Sequence, residues 1–362
     1  MSNNVNNKPG IRSIAERNSS RNAITILGVN GKRWIKTAVM RSGVLSLASR
    51  LARPGIVVLY YHSVKHEPAQ FANAFVPGLI HSLSSFEEQM EHIARRYKPV
   101  SMDDVLHFLD GEMQLPPRAV AVNFDDGFAD NFELAAPVLT RLGIQGLFNV
   151  TVGSIESANA PWFCRLRHAF STTRRKSWLD SAAHCVHPIA ERADRRAAFL
   201  LASQRCAKSA DAAQATVIST IERELDVEPL QSKNCPMMTW DQVRGLRDAG
   251  HIVGSHSLSH PNLAHVDDET QWKEISQSKL QLENRLGTRV NYFTYPNPIM
   301  HPNFNERTIH CTQRAGYKLA ATGVSGLVRF GHDRFAVHRV AAPSNLEEFS
   351  WYLENTRLGR QL

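Results

Sequence analysis

The feature that most constrains this chain is an apolar run ending in two adjacent carboxylates, Ala119-Val120-Ala121-Val122-Asn123-Phe124-Asp125-Asp126-Gly127. A run without polar alternation until Asn123 fits a strand covered on both faces, as parallel strands are. It is one of a series. From Gly55 onward short apolar stretches at 56–61, 147–152, 251–255, 290–295, 317–322 and 335–340 alternate with helical patterns. Gly143, Gly250, Gly287 and Gly316 stand where helices should stop, and Ser84-x-x-Glu87 and Ser344-x-x-Glu347 look like capping boxes. About seven strands in this rhythm predict an α/β chain wound as a closed or partly closed (β/α) barrel. Chemistry in such barrels sits at the C-terminal strand ends.

The rhythm breaks between about 155 and 235, where Ala-, Arg- and Ser-rich helical stretches carry no convincing strand. The expected organisation is a basic, partly helical extension (1–54), a barrel in two parts (55–154 and 236–345), a helical insertion between them (155–235), and a terminal helix (346–362). The chain is 43% hydrophobic and 21% charged with no run of eighteen apolar residues, which excludes collagen, wholesale disorder and an apolar membrane-spanning helix. Its net charge of +8 is regional. From Arg12 to Arg53 there are nine Lys/Arg and one acid, Glu16, and 32–51 reads as a basic amphipathic helix that packs on its own domain or touches an anionic membrane surface. No aromatic interleaving or finger spacing accompanies the charge, so nucleic acid is not an expected partner. Oligomeric state is left open. The five cysteines form no close pair and read as free thiols. With no recognisable signal peptide, the expected location is cytoplasmic or peripheral to the inner membrane.

Three strand ends carry unusual polar clusters. Asp125 and Asp126 can divide roles, one binding a cation and one moving protons, or they can cap the following helix. His256 and His260, four apart and followed by Pro261, would stand roughly 6 Å apart on a helical turn, close enough to share a divalent ion, against ~13 Å in a strand. In Tyr292-Phe293-Thr294-Tyr295-Pro296 the strand either simply ends at a proline or presents the Tyr295 N–H to a developing oxyanion.

Taken together, Val122-Asn123-Phe124-Asp125-Asp126-Gly127, His256-x-x-x-His260-Pro261 and Phe293-x-Tyr295-Pro296 resemble the sequential motifs of the polysaccharide deacetylase family, the NodB-homology or carbohydrate esterase family 4 fold. The resemblance spans about 55–154 and 236–342. It implies a distorted (β/α)7-type barrel and metal-dependent removal of acetyl groups from an N-acetylated glycan. Carried over, Asp126, His256 and His260 bind a divalent ion, zinc first with cobalt or nickel as alternatives, and Asp125 is the general base. The early Tyr60-Tyr61-His62 resembles a subgroup acting on exopolysaccharide, where this histidine is the general acid; His338 is the competing candidate. The family's Arg-x-Pro-Tyr arginine is missing, and Arg339 is the expected replacement that orients Asp125. Trp162, Phe163 and Trp178 either stack on sugar rings or anchor the insertion, and His301 reads as a surface residue. Two other readings stand beside this one: hydrolysis of a cyclic amide or formamide, and a catalytically silent glycan-binding module.

Overall fold

In the computed structural model the described residues are 54–68, 75–76, 78–157, 159–297 and 300–360. The expectations for the N-terminal extension, its basic helix and its membrane contact lie outside them. Eight parallel strands form one sheet, in the spatial order Leu319–Ala321, Tyr292–Thr294, Ile252–Ser255, Gly146–Val150, Ala119–Phe124, Val57–Tyr61 and Val340–Ala341. Lys98–Pro99 lies beside the start of Ala119–Phe124. Spatial order follows chain order around a ring. The stretch expected as a strand over 335–340 closes it by crossing between the two edges: Val337 bridges Ala321, and Val340–Ala341 pair with Leu59 and Tyr60. Because it serves both edges it runs alongside neither for long, and only Val340–Ala341 are strand. This is the distorted barrel.

Side chains alternate across each strand, and that parity sorts the core. Val57, Leu59, Tyr61, Val120, Val122 and Phe124 pack outward under the helices. Ile56, Val58, Ala119, Ala121, Leu147, Tyr292, Ala321 and Val337 pack inward, joined by Met102, Val105 and Phe108. Continuing the inward parity toward the C-terminal ends gives Tyr60 and His62, Asn123 and Asp125, Asn149 and Thr151, Gly254 and His256, Thr294, and Arg339. The barrel is therefore apolar below and polar at its mouth. Gly254 has no alternative, since a Cβ there would collide with Asn149 Oδ1 and stand 3.2 Å from the Tyr292 carbonyl.

The outer helices lie near their expected places with corrected caps. Helix Leu83–Arg96 is capped by Ser82, which accepts from the Ser85 N–H, two residues before the expected Ser84. Asn345, not Ser344, caps Leu346–Arg357 by accepting from the Glu347 and Glu348 N–H groups. The helix expected over 129–142 begins as a π-helical turn, Asn131–Ala135, before Ala136–Arg141.

The insertion holds three helices, Trp162–Thr172, Arg192–Ala207 and Asp211–Leu225, around its own apolar core. It also holds an antiparallel ribbon, Ser177–Asp180 with Cys185–Pro188, where no strand was expected. The ribbon's pattern hides because only one face is covered: Trp178 and Asp180 are buried while Leu179 and Val186 face outward. The free-thiol reading is also corrected. Cys164 and Cys235, 71 residues apart, are disulfide-bonded, joining the insertion's first helix to its exit; Cys185, Cys206 and Cys311 are free. Spacing along the chain gave no sign of a pair that only the fold brings together. Among the described residues no helix is long and apolar enough to cross a membrane.

Candidate metal centre and catalytic residues

Register alone brings two expected residues side by side. Tyr61 pairs with Phe124, so His62 and Asp125 are the next residues on neighbouring strands, and the Asp125 N–H donates to the Tyr61 carbonyl at 3.0 Å. Asp125 and Arg339 form a buried bidentate pair, Nη1 to Oδ1 at 2.9 Å and Nη2 to Oδ2 at 2.8 Å. The guanidinium is fully buried, donates Nε to the Thr322 carbonyl at 2.8 Å, and stacks 4.4 Å from the Tyr60 ring centroid. Asn149 Nδ2 adds a second donor to Asp125 Oδ1 at 3.0 Å. Oδ2 thus keeps more free acceptor capacity. Burial works to raise the Asp125 pKa, but the Arg339 charge and its hydrogen bonds override it and hold the carboxyl well below the usual range.

Asp126 turns away from its neighbour because the backbone leaves the strand through two left-handed residues, Asp126 at φ +74 and Gly127 at φ +87. The second must be glycine, since a side chain there would be strained and crowded by Val150 at 3.1 Å. The segment after Gly146–Val150 then ties two loops together: Thr151 N–H donates to the Asp126 carbonyl, Val152 N–H to Ser257, and Gly153 N–H to Leu258, at 3.2, 3.0 and 2.9 Å.

His256 and His260 do meet, but not on a helical turn. Residues 256–260 are irregular, with Ser257 at φ +64 and His260 at φ +61, and the two imidazole centroids stand 4.8 Å apart. Buried Glu274 replaces helical hydrogen bonding there: one oxygen accepts the Leu258 and Ser259 N–H groups, each at 2.9 Å, and the other accepts Ser259 Oγ at 2.6 Å. His256 Nδ1 lies 2.8 Å from the Thr294 carbonyl, which makes that nitrogen the N–H and leaves Nε2 as a lone pair.

Both Nε2 atoms face Asp126 Oδ1, from 3.6 and 3.5 Å. That oxygen is buried and has no hydrogen-bond partner among the described residues. Burial and then the neighbouring Asp125 charge push Asp126 up to about 7, while burial lowers both histidines. Two neutral imidazoles converging on an orphaned carboxylate oxygen, with all three donor atoms within 4.8 Å of one another, fit a divalent metal cation.

His62 is part-buried, and burial lowers its pKa to about 4 against the opposing pull of Asp125. Its loop is held by the turn that carries the carboxylates. Asp130 accepts from Ser63 Oγ at 2.7 Å and the Val64 N–H at 3.1 Å, and Asn131 donates to the His62 carbonyl at 2.6 Å. His338, of opposite parity to Arg339, instead meets His332 edge-on at 5.4 Å between ring centroids. His301 is exposed beside Glu306. The expectation for Tyr295 is corrected: its N–H donates to the Ala321 carbonyl at 3.3 Å, as the neighbouring parallel strand requires, and its side chain is buried against Phe304. Trp162 and Phe163 are buried beside His260, and Trp178 lies in the insertion core with Nε1 on Glu224 at 2.8 Å, so Trp178 anchors the insertion. Asn149, Asp130, Asn131 and Glu274 were missed. A carboxylate at 274, on the buried stripe with Gln271, Ile275 and Ser278, was the available signal.

A family model described as polysaccharide deacetylase matches residues 112–320, more than half of the chain. The curated protein YxkH of Bacillus subtilis, whose name carries the polysaccharide deacetylase designation, is 23% identical over 122 residues, 33% of this chain and 42% of its own length. The chain thus aligns with less than half of that relative. Among solved structures, the Streptococcus pyogenes deacetylase PplD in complex with acetate superposes with TM-score 0.56 at 17% identity, covering 83% of this chain and 98% of its own. IcaB from Ammonifex degensii gives 0.53 at 18%, covering 85% and 99%. A de-N-acetylase from Aggregatibacter actinomycetemcomitans gives 0.51 at 16%, covering 83% and 100%. At such identities the likeness is one of fold.

Proposed function

This chain belongs to the polysaccharide deacetylase family, and from that we propose that it is a metal-dependent hydrolase removing N-acetyl groups from a glucosamine-type sugar in a bacterial glycan. The observation that carries the metal dependence is the orphaned Asp126 Oδ1 facing two neutral imidazoles, beside a second carboxylate held ionised by Arg339.

Asp126, His256 and His260 would hold the ion. Asp125 is the base and accepts the proton of the attacking water on Oδ2, the oxygen with fewer donors. Even for an ordinary carboxylate the transfer from bulk water spans roughly 12 pKa units, about 16 kcal/mol, and the lowered pKa of Asp125 widens that gap. A divalent ion bound at the three ligands would supply Lewis acidity, which lowers the pKa of a water from about 15.7 to about 7 and would close about 12 kcal/mol of that gap. Arg339 keeps Asp125 in place and ionised. As the amide C–N bond breaks, the proton that Asp125 took from water would pass through the His62 imidazole, which burial keeps neutral at rest, to the departing nitrogen, leaving acetate and a free amine. His338, turned toward His332, is not placed for that step. The Cys164–Cys235 bond favours an oxidising compartment over the cytoplasm as the place of reaction.

The test is acetate release from a panel of N-acetylated oligosaccharides, with chelator and then with zinc, cobalt or nickel restored. Chelator should stop release and a metal should restore it. Release that survives complete metal removal, or activity confined to cyclic amides and formamides, would contradict the reading.

A further inference from the structure

Helix Trp162–Thr172 lays one face against the metal centre. The Trp162 and Phe163 rings stand 5.9 and 5.1 Å from the His260 ring, and Trp162 Nε1 donates to the His260 carbonyl at 3.3 Å. Arg167 lies four residues beyond Phe163, on the same face one turn further along. The other well-covered arginine of this helix, Arg165, is paired with Glu222 on the opposite side. Arg167 is not paired: among the described residues it makes no hydrogen bond or ion pair, although its Nε is fully covered. The charges it feels are those of the site. It acts on Asp126 and on His62, and burial lowers its own pKa only to about 10, so it is cationic at neutral pH. Arg167 as a whole is part-buried, but its Nε is shut off from water without a partner, which is unfavourable, and its planar fork matches a carboxylate or phosphate.

We propose that Arg167 is a substrate-binding residue that recognises a carboxylate or phosphate on the glycan beside the acetylated sugar, making the preferred substrate anionic. This rests on the deacetylase reading above. The insertion would then set specificity while the barrel performs the hydrolysis.

The experiment uses the full zinc-loaded chain and three matched oligosaccharides: neutral N-acetylglucosamine, the same sugar next to a hexuronate, and the same sugar carrying a phosphate. The quantity read is the ratio of kcat/KM for each charged substrate to that for the neutral one. Wild type should prefer at least one charged form, identifying the anion. Arg167→Gln should lower that ratio about tenfold to a hundredfold, the scale of a charge-assisted hydrogen bond, and Arg167→Lys should lower it less. Zinc affinity of each variant, measured alongside, separates this from loss of the ion. An unchanged ratio in Arg167→Gln, or no charged preference in wild type, overturns the proposal. If wild type releases acetate from none of the three, the deacetylase reading fails separately, and calorimetric binding of the same sugars still decides: a charged preference lost in Arg167→Gln supports the assignment, and equal binding overturns it.

Discussion

Glu274 is 16 residues from Leu258 in sequence and is not one of the three ligands, yet metal affinity should depend on it. Its carboxylate takes two backbone N–H groups and one hydroxyl from residues 258 and 259, immediately before a ligand whose own φ is +61. Glu274→Ala strands both amides in a buried pocket. At about 1–3 kcal/mol for each unsatisfied group, the loss is roughly 2–6 kcal/mol, less whatever an entering water recovers. Loosening the loop also lets His260 leave its position facing Asp126, and loss of such supporting contacts weakens metal binding about 10- to 100-fold. The assay is a competition titration of zinc against a chromogenic chelator, with a urea unfolding curve on the same protein. Glu283→Ala is the control, since Glu283 takes the Val290 N–H at 3.0 Å near the far end of the same helix. It should lower stability and leave zinc affinity intact. If Glu274→Ala binds zinc within twofold of wild type, the loop does not owe its geometry to Glu274 and the reasoning fails.

Three further expectations follow from the same structure. Arg339→Met leaves Asp125 as an unpaired buried charge and should cost about 3–5 kcal/mol in urea unfolding, part of it recovered by adding Asp125→Asn; a loss under about 1 kcal/mol speaks against the pairing. Alkylation of the denatured, unreduced chain should modify three cysteines, Cys185, Cys206 and Cys311, and five only after reduction; five before reduction contradicts the disulfide. His81 is fully buried with Nε2 at 3.0 Å from the Ala342 carbonyl, and burial lowers its pKa to about 4 from 6.5. Between those values the unfolded chain takes up a proton that the native one refuses, so stability falls as pH falls through this window. His81→Leu should therefore flatten that decline by up to about 3 kcal/mol in urea curves at pH 7 and 4.5, and an equally steep decline would count against the assignment.

What the sequence made legible is what burial writes into it. Ala119–Phe124 was read at its true ends because a strand covered on both faces tolerates no polar alternation, and the carboxylates after it stood out for the same reason. Arg339 was reachable because a missing motif cation had to be replaced by another. The conformation of 256–260 was not legible: Ser257 and His260 adopt left-handed backbone without being glycine, held by hydrogen bonds from a helix that starts eight residues after His260. The Tyr295 amide was misjudged because a residue one step past a short strand still bonds to the neighbouring strand. Arg167 sits among many insertion arginines, and only packing shows that it is covered without a partner. The ribbon at 177–188 covers one face alone, so its alternation is diluted by the polar residues around it.

The account stands on a single cation held between Asp126, His256 and His260. Its most direct test is metal content by elemental analysis, paired with acetate release, for wild type and four variants. One ion per chain should be found in wild type and in Asp125→Asn, and none in Asp126→Ala, His256→Ala or His260→Ala, with acetate released by wild type alone. Full metal content in the three ligand variants, or loss of the ion from Asp125→Asn as from the others, would contradict it.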